Sequence, residues 1–175
     1  MARILLAGMM GSGKTTVGRV LADALGWELW DNDAQLMNRT GHDVHWVAEN
    51  WGMERLHDLE GRVLSEGLAE AGRVVCVPGS AVLDRGLRET LASEWVVWLR
   101  ASVATLVERL SAEPLPRPFV LGRPRDELAR IVAELDAERR PSLQEIADLI
   151  LDVDSYNPGD VATRIREAWG TRSRP

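Results

Sequence analysis

Hydrophobic residues along this 175-residue chain alternate between short continuous runs and longer stretches with helical spacing. Short apolar runs bounded by polar residues predict buried strands, and apolar positions three or four apart predict amphipathic helices. Strand and helix alternation indicates an α/β fold, a parallel sheet covered by helices on both faces, with ligands at the carboxyl ends of the strands. Strands are predicted at 3–7, 27–30, 73–77, 94–99 and 149–153. Helices are predicted after the first strand and at 34–39, 53–71, 83–93, 103–110, 127–137 and 159–169, with Asp43 capping a further one.

The segment Gly8-Met9-Met10-Gly11-Ser12-Gly13-Lys14-Thr15 lies between the first predicted strand and the first helix. It fits the pattern G-x-x-x-x-G-K-[ST], in which backbone N–H groups surround the phosphates of a nucleoside triphosphate. In this pattern Lys14 contacts the β- and γ-phosphates, and the Thr15 hydroxyl is offered to Mg²⁺. Lys14 is the single lysine among 21 basic residues, which favours a specific role for its compact ammonium group. The segment therefore predicts binding of a nucleoside triphosphate; a chance glycine-rich turn before an ordinary helix is the alternative.

The composition narrows the class of protein. A net charge of −6 argues against a nucleic-acid partner, because no basic surplus exists to neutralise phosphates. The apolar runs are too short to span a bilayer, which argues against a membrane partner. Cys76 is the single cysteine and lies among valines, so we expect a core residue of a cytoplasmic protein. We expect one domain over 1–170, a monomer, and a disordered tail over 171–175.

Residues 111–124 break the alternation, because four prolines interrupt them and no apolar period survives. The segment also carries Arg117 and Arg123. A mobile loop that bears arginines beside a phosphate site is typical of a lid that closes over the phosphates and excludes water. An ordinary surface loop is the alternative interpretation.

Several short motifs follow one another in a fixed order: Asp31-Asn32-Asp33, Arg39-Thr40-Gly41, Glu60, Arg117-Pro118, Glu138-Arg139-Arg140-Pro141 and Asn157-Pro158. With the glycine-rich loop, this set resembles the shikimate kinases over essentially the whole chain. The resemblance implies a five-stranded parallel sheet of the nucleoside-monophosphate-kinase type, a helical substrate-binding segment at about 33–61, and a lid. It also implies transfer of the γ-phosphoryl group of ATP, with Mg²⁺, to a hydroxyl of a small hydroxylated acid or cyclitol-like acceptor.

The resemblance also implies roles for individual residues. Asp33 would accept or orient the acceptor hydroxyl, Arg117 would contact the transferring phosphoryl group, and Arg139 would pair with the substrate carboxylate. Thr15 and Asp31 would hold Mg²⁺, although Asp31 and Asp33 could instead serve only as a helix cap. Catalysis is thus assigned to Lys14, Asp33 and Arg117. The nucleotide would contact Gly8, Gly11, Ser12, Gly13, Lys14, Thr15, Thr16, Arg109 and Pro158, and the acceptor Asp33, His57, Gly79, Ser80 and Arg139.

The chain departs from the family pattern on the acceptor side. His57 occupies a position that usually holds an arginine, and Pro78-Gly79-Ser80 replaces a usual glycine triplet. Ala48 and Leu56 stand where phenylalanines usually contact the substrate ring. These differences predict a wider pocket with about one fixed positive charge fewer at neutral pH. His57 could alternatively be an ordinary surface residue.

Three functions remain open at this point. The first is a kinase that phosphorylates a hydroxylated acceptor related to shikimate, and the second is a shikimate kinase with His57 assisting Arg139 when protonated. The third is a catalytically idle nucleotide-binding module that regulates a partner. The combination of Lys14, Asp33 and Arg117 argues against the third, because a module that only binds nucleotide needs no acceptor carboxylate.

Overall fold

The computed structural model describes residues 2–112 and 122–172. Five strands form one sheet in the order β2-β3-β1-β4-β5, and every neighbouring pair is parallel. This arrangement confirms the predicted α/β fold and the five-stranded parallel sheet. The strands are β1 (Arg3–Ala7), β2 (Glu28–Asp31), β3 (Arg73–Cys76), β4 (Val96–Arg100) and β5 (Leu149–Asp152).

Helices connect the strands and cover both faces of the sheet. Gly41 and Asp43 bound two of them as predicted, since the Gly41 N–H donates to the Met37 carbonyl and the Asp43 carboxylate accepts from the Trp46 N–H. Within the described residues, none of the helices is both long enough and apolar enough to cross a membrane. The helices are α1 (Lys14–Leu25), α2 (Asn32–Thr40), α3 (Val44–Trp51), α4 (Met53–Gly67), α5 (Arg85–Leu91), α6 (Val103–Ala112), α7 (Arg125–Ile146) and α8 (Pro158–Thr171).

The core consists of two apolar layers separated by the sheet. Successive side chains of a strand point to opposite faces, so Ile4 and Leu6 enter one layer while Leu5 and Ala7 enter the other. The first layer contains residues of α1, α6 and α8, and the second contains residues of α4. A third, smaller cluster holds α2, α3 and α4 together beside the sheet. The helical segment near 33–61 is therefore a unit with its own apolar contacts.

Helix α7 is much longer than the helix predicted at 127–137. It begins at Arg125 and continues to Ile146, although Pro141 lies inside it and leaves the Ala137 carbonyl without its helical N–H donor. A proline in a helix interior costs about 3 kcal/mol. The cost is offset because a single buried stripe runs along the whole helix, before and after the proline. This stripe consists of Leu128, Val132, Asp136, Arg139, Leu143 and Ile146.

Smaller differences from the predicted boundaries have local causes. Helix α4 ends at Gly67 rather than at 71, and the Arg73 guanidinium satisfies the Glu66 carbonyl near that end with an N–H···O distance of 3.0 Å. Helix α6 extends through Ala112, so residues 111 and 112 are helical and do not belong to a loop. Most of the lid predicted at 111–124, including Arg117, lies outside the described residues. Helix α8 includes Thr171, and residues 173–175 of the predicted tail are also outside them.

Candidate active site

The loop from Gly8 to Thr15, here called the phosphate loop, connects β1 to α1 at the carboxyl edge of the sheet. Gly8, Gly11 and Gly13 all have positive φ angles, of 142°, 78° and 92°. A Cβ at Gly8 would lie 2.6 Å from the Leu99 carbonyl oxygen, so a larger residue there would force the backbone apart. No side chain caps α1 at Gly13, and its first turn contains no acidic residue. The N–H groups at this helix end are thus arranged for an anion.

Lys14 and Thr15 at the start of α1 are held in position by the protein itself. The Lys14 Nζ donates to the carbonyls of Gly8 at 2.9 Å and Met9 at 3.1 Å. The Thr15 hydroxyl donates to the Asp31 carboxylate at 2.5 Å. The ammonium group therefore lies against the backbone of the phosphate loop, and the hydroxyl lies beside a carboxylate at the end of β2.

The Asp31 carboxylate accepts three hydrogen bonds, and its two oxygen atoms have different partners. Its Oδ1 accepts from the backbone N–H groups of Asp33 at 3.1 Å and Ala34 at 3.2 Å, which makes it the N-cap of α2. Its Oδ2 accepts from Thr15. The helix-cap interpretation is thus correct for Asp31 but does not exhaust its contacts. Asp33 lies in the first turn of α2 and lines the cleft described below.

The pair of Thr15 and Asp31 supplies hard oxygen atoms of the kind that Mg²⁺ prefers. No group of three or more His, Cys, Asp or Glu residues in ranges 2–112 and 122–172 could hold a metal ion. A cation at Thr15 and Asp31 would therefore need phosphate oxygens and water to complete its shell, as is common for Mg²⁺. The donor set fits Mg²⁺ bound together with a nucleotide.

Arg109 and Pro158 border the same cleft from α6 and α8. The Arg109 guanidinium donates to the Gly11 carbonyl at 3.2 Å and to the Val153 carbonyl at 3.1 Å, so it joins the phosphate loop to the end of β5. Pro158 is the first residue of α8, whose N-cap Asn157 accepts from the Asp160 N–H at 3.0 Å. The Ser12 hydroxyl is buried without a hydrogen-bond partner among the described residues. An anion in the loop would supply an acceptor for it.

A cleft of about 510 Å³ runs along the carboxyl edge of the sheet, within the size range of small-molecule sites. It brings together most of the residues predicted from the sequence, from both the nucleotide and the acceptor sets. Gly8 does not line the cleft, but its carbonyl accepts a hydrogen bond from the Lys14 Nζ. The predicted residues that line the cleft are Gly11, Ser12, Gly13, Lys14, Thr15, Thr16, Asp31, Asp33, His57, Gly79, Ser80, Arg109, Arg139 and Pro158.

One side of the cleft, here called the acceptor wall, is formed by His57, Glu60, Gly79, Ser80 and Arg139. Arg139 is only 7% exposed, and its Nε has no hydrogen-bond partner among the described residues. Burial lowers the pKa of the guanidinium, although nearby Glu138 and Glu60 oppose that effect. A Cβ at Gly79 would lie 2.9 Å from the Arg139 Nη1, so this glycine leaves the space that the guanidinium occupies.

Glu60 is a member of the acceptor wall that the sequence did not identify as a site residue. Its Oε2 accepts from the Ser80 hydroxyl at 2.5 Å, and burial raises the pKa of the Glu60 carboxyl to about 7. The Ser80 hydrogen bond, Arg139 and Lys14 oppose that rise, while the Asp33 carboxylate adds to it. A sequence signal was available, because Glu60 is three residues from His57 and residues at that spacing share a helix face.

The residues that differ from the usual family pattern do not all lie at the cleft. His57 is exposed to the open cleft, and partial burial together with Arg139 lowers the pKa of its imidazole. Leu56 lines the cleft, but Ala48 packs within the third apolar cluster and is not among its lining residues. The wider pocket expected from Ala48 and Leu56 stays a prediction. Cys76 is a buried core residue, as predicted, and burial raises the pKa of its thiol.

A phosphate loop and an acceptor wall at the carboxyl edge of a parallel five-stranded sheet define the class of P-loop kinases that act on small molecules. The shikimate kinase family model matches residues 10–169. A shikimate kinase from Thermobifida fusca (strain YX) is 36% identical over 161 residues, which cover 92% of this chain and 91% of that relative. The chain belongs to the shikimate kinase family. It is an ATP-binding phosphotransferase with a hydroxyl group as acceptor.

Solved structures support the same assignment. A shikimate kinase from Acinetobacter baumannii in complex with shikimate has a TM-score of 0.87 and 28% identity, covering 98% of this chain and 94% of that chain. A shikimate kinase from Bacteroides thetaiotaomicron has a TM-score of 0.88 and 25% identity, covering 97% of this chain and 98% of that chain. The resemblance inferred from the ordered motifs is thus confirmed at the level of sequence family and fold.

Proposed function

We propose that this protein transfers the γ-phosphoryl group of ATP, with Mg²⁺, to a hydroxyl of a small hydroxylated carboxylic acid. The observation that carries the proposal is the buried Arg139 guanidinium, whose Nε has no partner among the described residues and which borders the same cleft as the phosphate loop. A buried cation needs a counter-charge, and a planar carboxylate matches the fork of a guanidinium.

On the nucleotide side, the phosphate loop binds the α- and β-phosphates through its N–H groups, and Lys14 contacts the β- and γ-phosphates. The Ser12 hydroxyl and the first turn of α1, including Thr16, contribute further donors. Arg109 and Pro158 border the base of the nucleotide. Thr15 and Asp31 would hold Mg²⁺, which would supply positive charge to neutralise the phosphates.

In the transfer step, the acceptor hydroxyl oxygen forms a bond to the γ-phosphorus, and the bond from that phosphorus to the β–γ bridging oxygen breaks. ADP leaves with the electron pair of the broken bond. Asp33 orients the hydroxyl and takes its proton, and Arg117 stabilises the charge on the transferring group. Positioning and charge neutralisation supply most of the rate enhancement in such reactions.

The acceptor wall favours an acceptor related to shikimate over shikimate itself. Its one arginine among the described residues is Arg139, and the lowered pKa of His57 favours the uncharged imidazole at neutral pH. A missing charge-assisted hydrogen bond costs about 1.5–3 kcal/mol. Phosphorylation of shikimate is the second candidate, and the sequence identity with proteins named shikimate kinase favours it.

The test is ADP release with Mg²⁺ and a panel of acceptors: shikimate, quinate, gluconate, amino-substituted shikimates and aminocyclitols. We expect turnover with a hydroxylated carboxylate and a weak reaction with shikimate. Efficient turnover of shikimate at micromolar KM would establish the second candidate instead. Absence of turnover with every carboxylate, in protein that ATP·Mg²⁺ stabilises against heat, would contradict the proposed function.

A further inference from the structure

The acceptor wall contains a hydrogen-bonded pair that the transfer step does not use. The Ser80 hydroxyl donates to the Glu60 Oε2 at 2.5 Å, and the other oxygen, Oε1, accepts no hydrogen bond from the described part of the chain. Glu60 lies on α4 and Ser80 lies just beyond β3, so the contact joins the helical segment to the sheet edge. The pair holds a carboxylate in one orientation against the cleft.

The charges around this carboxylate are unequal. Asp33 on α2 adds a second negative group, Arg139 on α7 and Lys14 on α1 oppose it, and His57 on the same helix is uncharged at neutral pH. Lys14 belongs to the phosphate side, and a substrate carboxylate would use the charge of Arg139. Once the acceptor is bound, Glu60 is left without a matched cation in the acceptor wall.

We propose that Glu60, oriented by Ser80, is a specificity-determining residue that binds an ammonium group on the acceptor in preference to a hydroxyl at the same position. The inference rests on the proposed function, because it names the class of acceptor: a hydroxylated carboxylic acid that also bears an amino group. Its carboxylate pairs with Arg139, and its ammonium group donates to Glu60. Charge-assisted hydrogen bonds are about twice as strong as neutral ones.

The preference for an amino group over a hydroxyl depends on pH, because the ionisation of Glu60 does. Burial raises the pKa of this carboxyl to about 7, so it is ionised mainly above neutral pH. An alkyl ammonium with a pKa of about 10 stays protonated over the same range. The preference for the amino acceptor therefore grows between pH 6 and pH 8.

The experiment compares shikimate with analogues in which one ring hydroxyl is replaced by an amino group. We expect kcat/KM for the best amino analogue to exceed that for shikimate by roughly ten- to a hundredfold at pH 8, and by less at pH 6. Glu60→Gln should abolish both the preference and its pH dependence. Glu54→Gln, an exposed position on the same helix, should change neither.

Ser80→Ala provides a second variant should Glu60→Gln fail to fold. Loss of the hydroxyl removes an interaction that lowers the Glu60 pKa, so the midpoint of the preference should move to higher pH. A purely structural serine would not produce that movement. An equal response to both acceptors in the parent protein, or an unchanged preference in folded Glu60→Gln, would overturn the inference.

Calorimetric binding of the same acceptors in the presence of ADP and Mg²⁺ separates this inference from the proposed function. Tighter binding of an amino analogue that disappears in Glu60→Gln supports the role of Glu60 even where no phosphoryl transfer is detected. Turnover of shikimate and amino analogues at equal rates supports the proposed function and contradicts the role of Glu60.

Discussion

The two halves of the cleft are built in different ways. The nucleotide half is built mainly from one continuous segment, from Gly8 to Thr16, which contains the whole phosphate-loop pattern. Arg109 and Pro158 border it from α6 and α8. The acceptor half is assembled from α2, α4, α7 and the turn after β3, and it departs from the family pattern at His57 and Ser80. Binding of a shared nucleotide constrains a backbone shape, whereas choice of an acceptor depends on individual side chains that can change separately.

The largest expected effect is on the nucleotide half. Lys14→Ala should remove turnover, since it removes the ammonium group that we propose contacts the β- and γ-phosphates. Lys14→Arg should be severely impaired, because a planar guanidinium does not replace a compact ammonium against the Gly8 and Met9 carbonyls. Thermal unfolding with ATP·Mg²⁺ should show little stabilisation of either variant.

Arg19→Ala, at an exposed position of α1, is the matched control for Lys14 and should behave as the parent. Normal turnover together with full stabilisation by ATP in Lys14→Ala would contradict the assignment of the nucleotide half. It would also remove the basis for contrasting the two halves.

The next effect concerns Arg117, the residue that we propose stabilises charge on the transferring phosphoryl group. Arg117→Ala should lower kcat by about 10²-fold or more, the scale expected for a preorganised charge stabiliser, while ATP binding changes little. Arg123→Ala is the control, because it removes only an exposed ion pair with Glu127. This variant should retain kcat. Steady-state kinetics give the answer, and equal kcat in both variants would leave the segment as an ordinary surface loop.

A smaller effect should distinguish the acceptor half from the nucleotide half. Arg139→Gln should lower kcat/KM for a carboxylate acceptor by roughly ten- to a hundredfold, with the KM for ATP nearly unchanged. Arg130→Gln, on an exposed part of α7 where it pairs with Glu134, should have no such effect. If Arg139→Gln instead weakened ATP and acceptor equally, the two halves would not be separable in the way the geometry indicates.

The smallest expected effect is a gain. His57→Arg combined with Ser80→Gly should raise kcat/KM for shikimate by about tenfold, since a charged partner for the carboxylate is added. The two single variants complete a double-mutant cycle measured on shikimate. No gain in any of the three would mean that these positions do not limit the use of shikimate.

The sequence predicted the sheet and the nucleotide half because both have local signals. Apolar runs located all five strands to within about two residues, and the phosphate loop is a continuous motif. The acceptor half was harder to predict because its contacts are distant in sequence. Glu60 and Ser80 are 20 residues apart in the sequence. Their hydrogen bond can be recognised only after β3 and α4 are placed together.

Helix α7 shows the opposite failure, in which a strong local signal was overridden. The helix predicted at 127–137 stops short of Pro141, yet Leu143 and Ile146 continue the buried stripe past it. Tertiary burial outweighed the local preference of proline. The same override keeps Arg139 within the helix, as one of its buried residues.

The hydrogen bonds of Lys14 to the Gly8 and Met9 carbonyls close the phosphate loop upon itself. A loop tied in this way has already lost much of its conformational freedom in the free protein, so a nucleotide does not have to order it on arrival. Encounter with ATP then resembles the docking of two rigid surfaces.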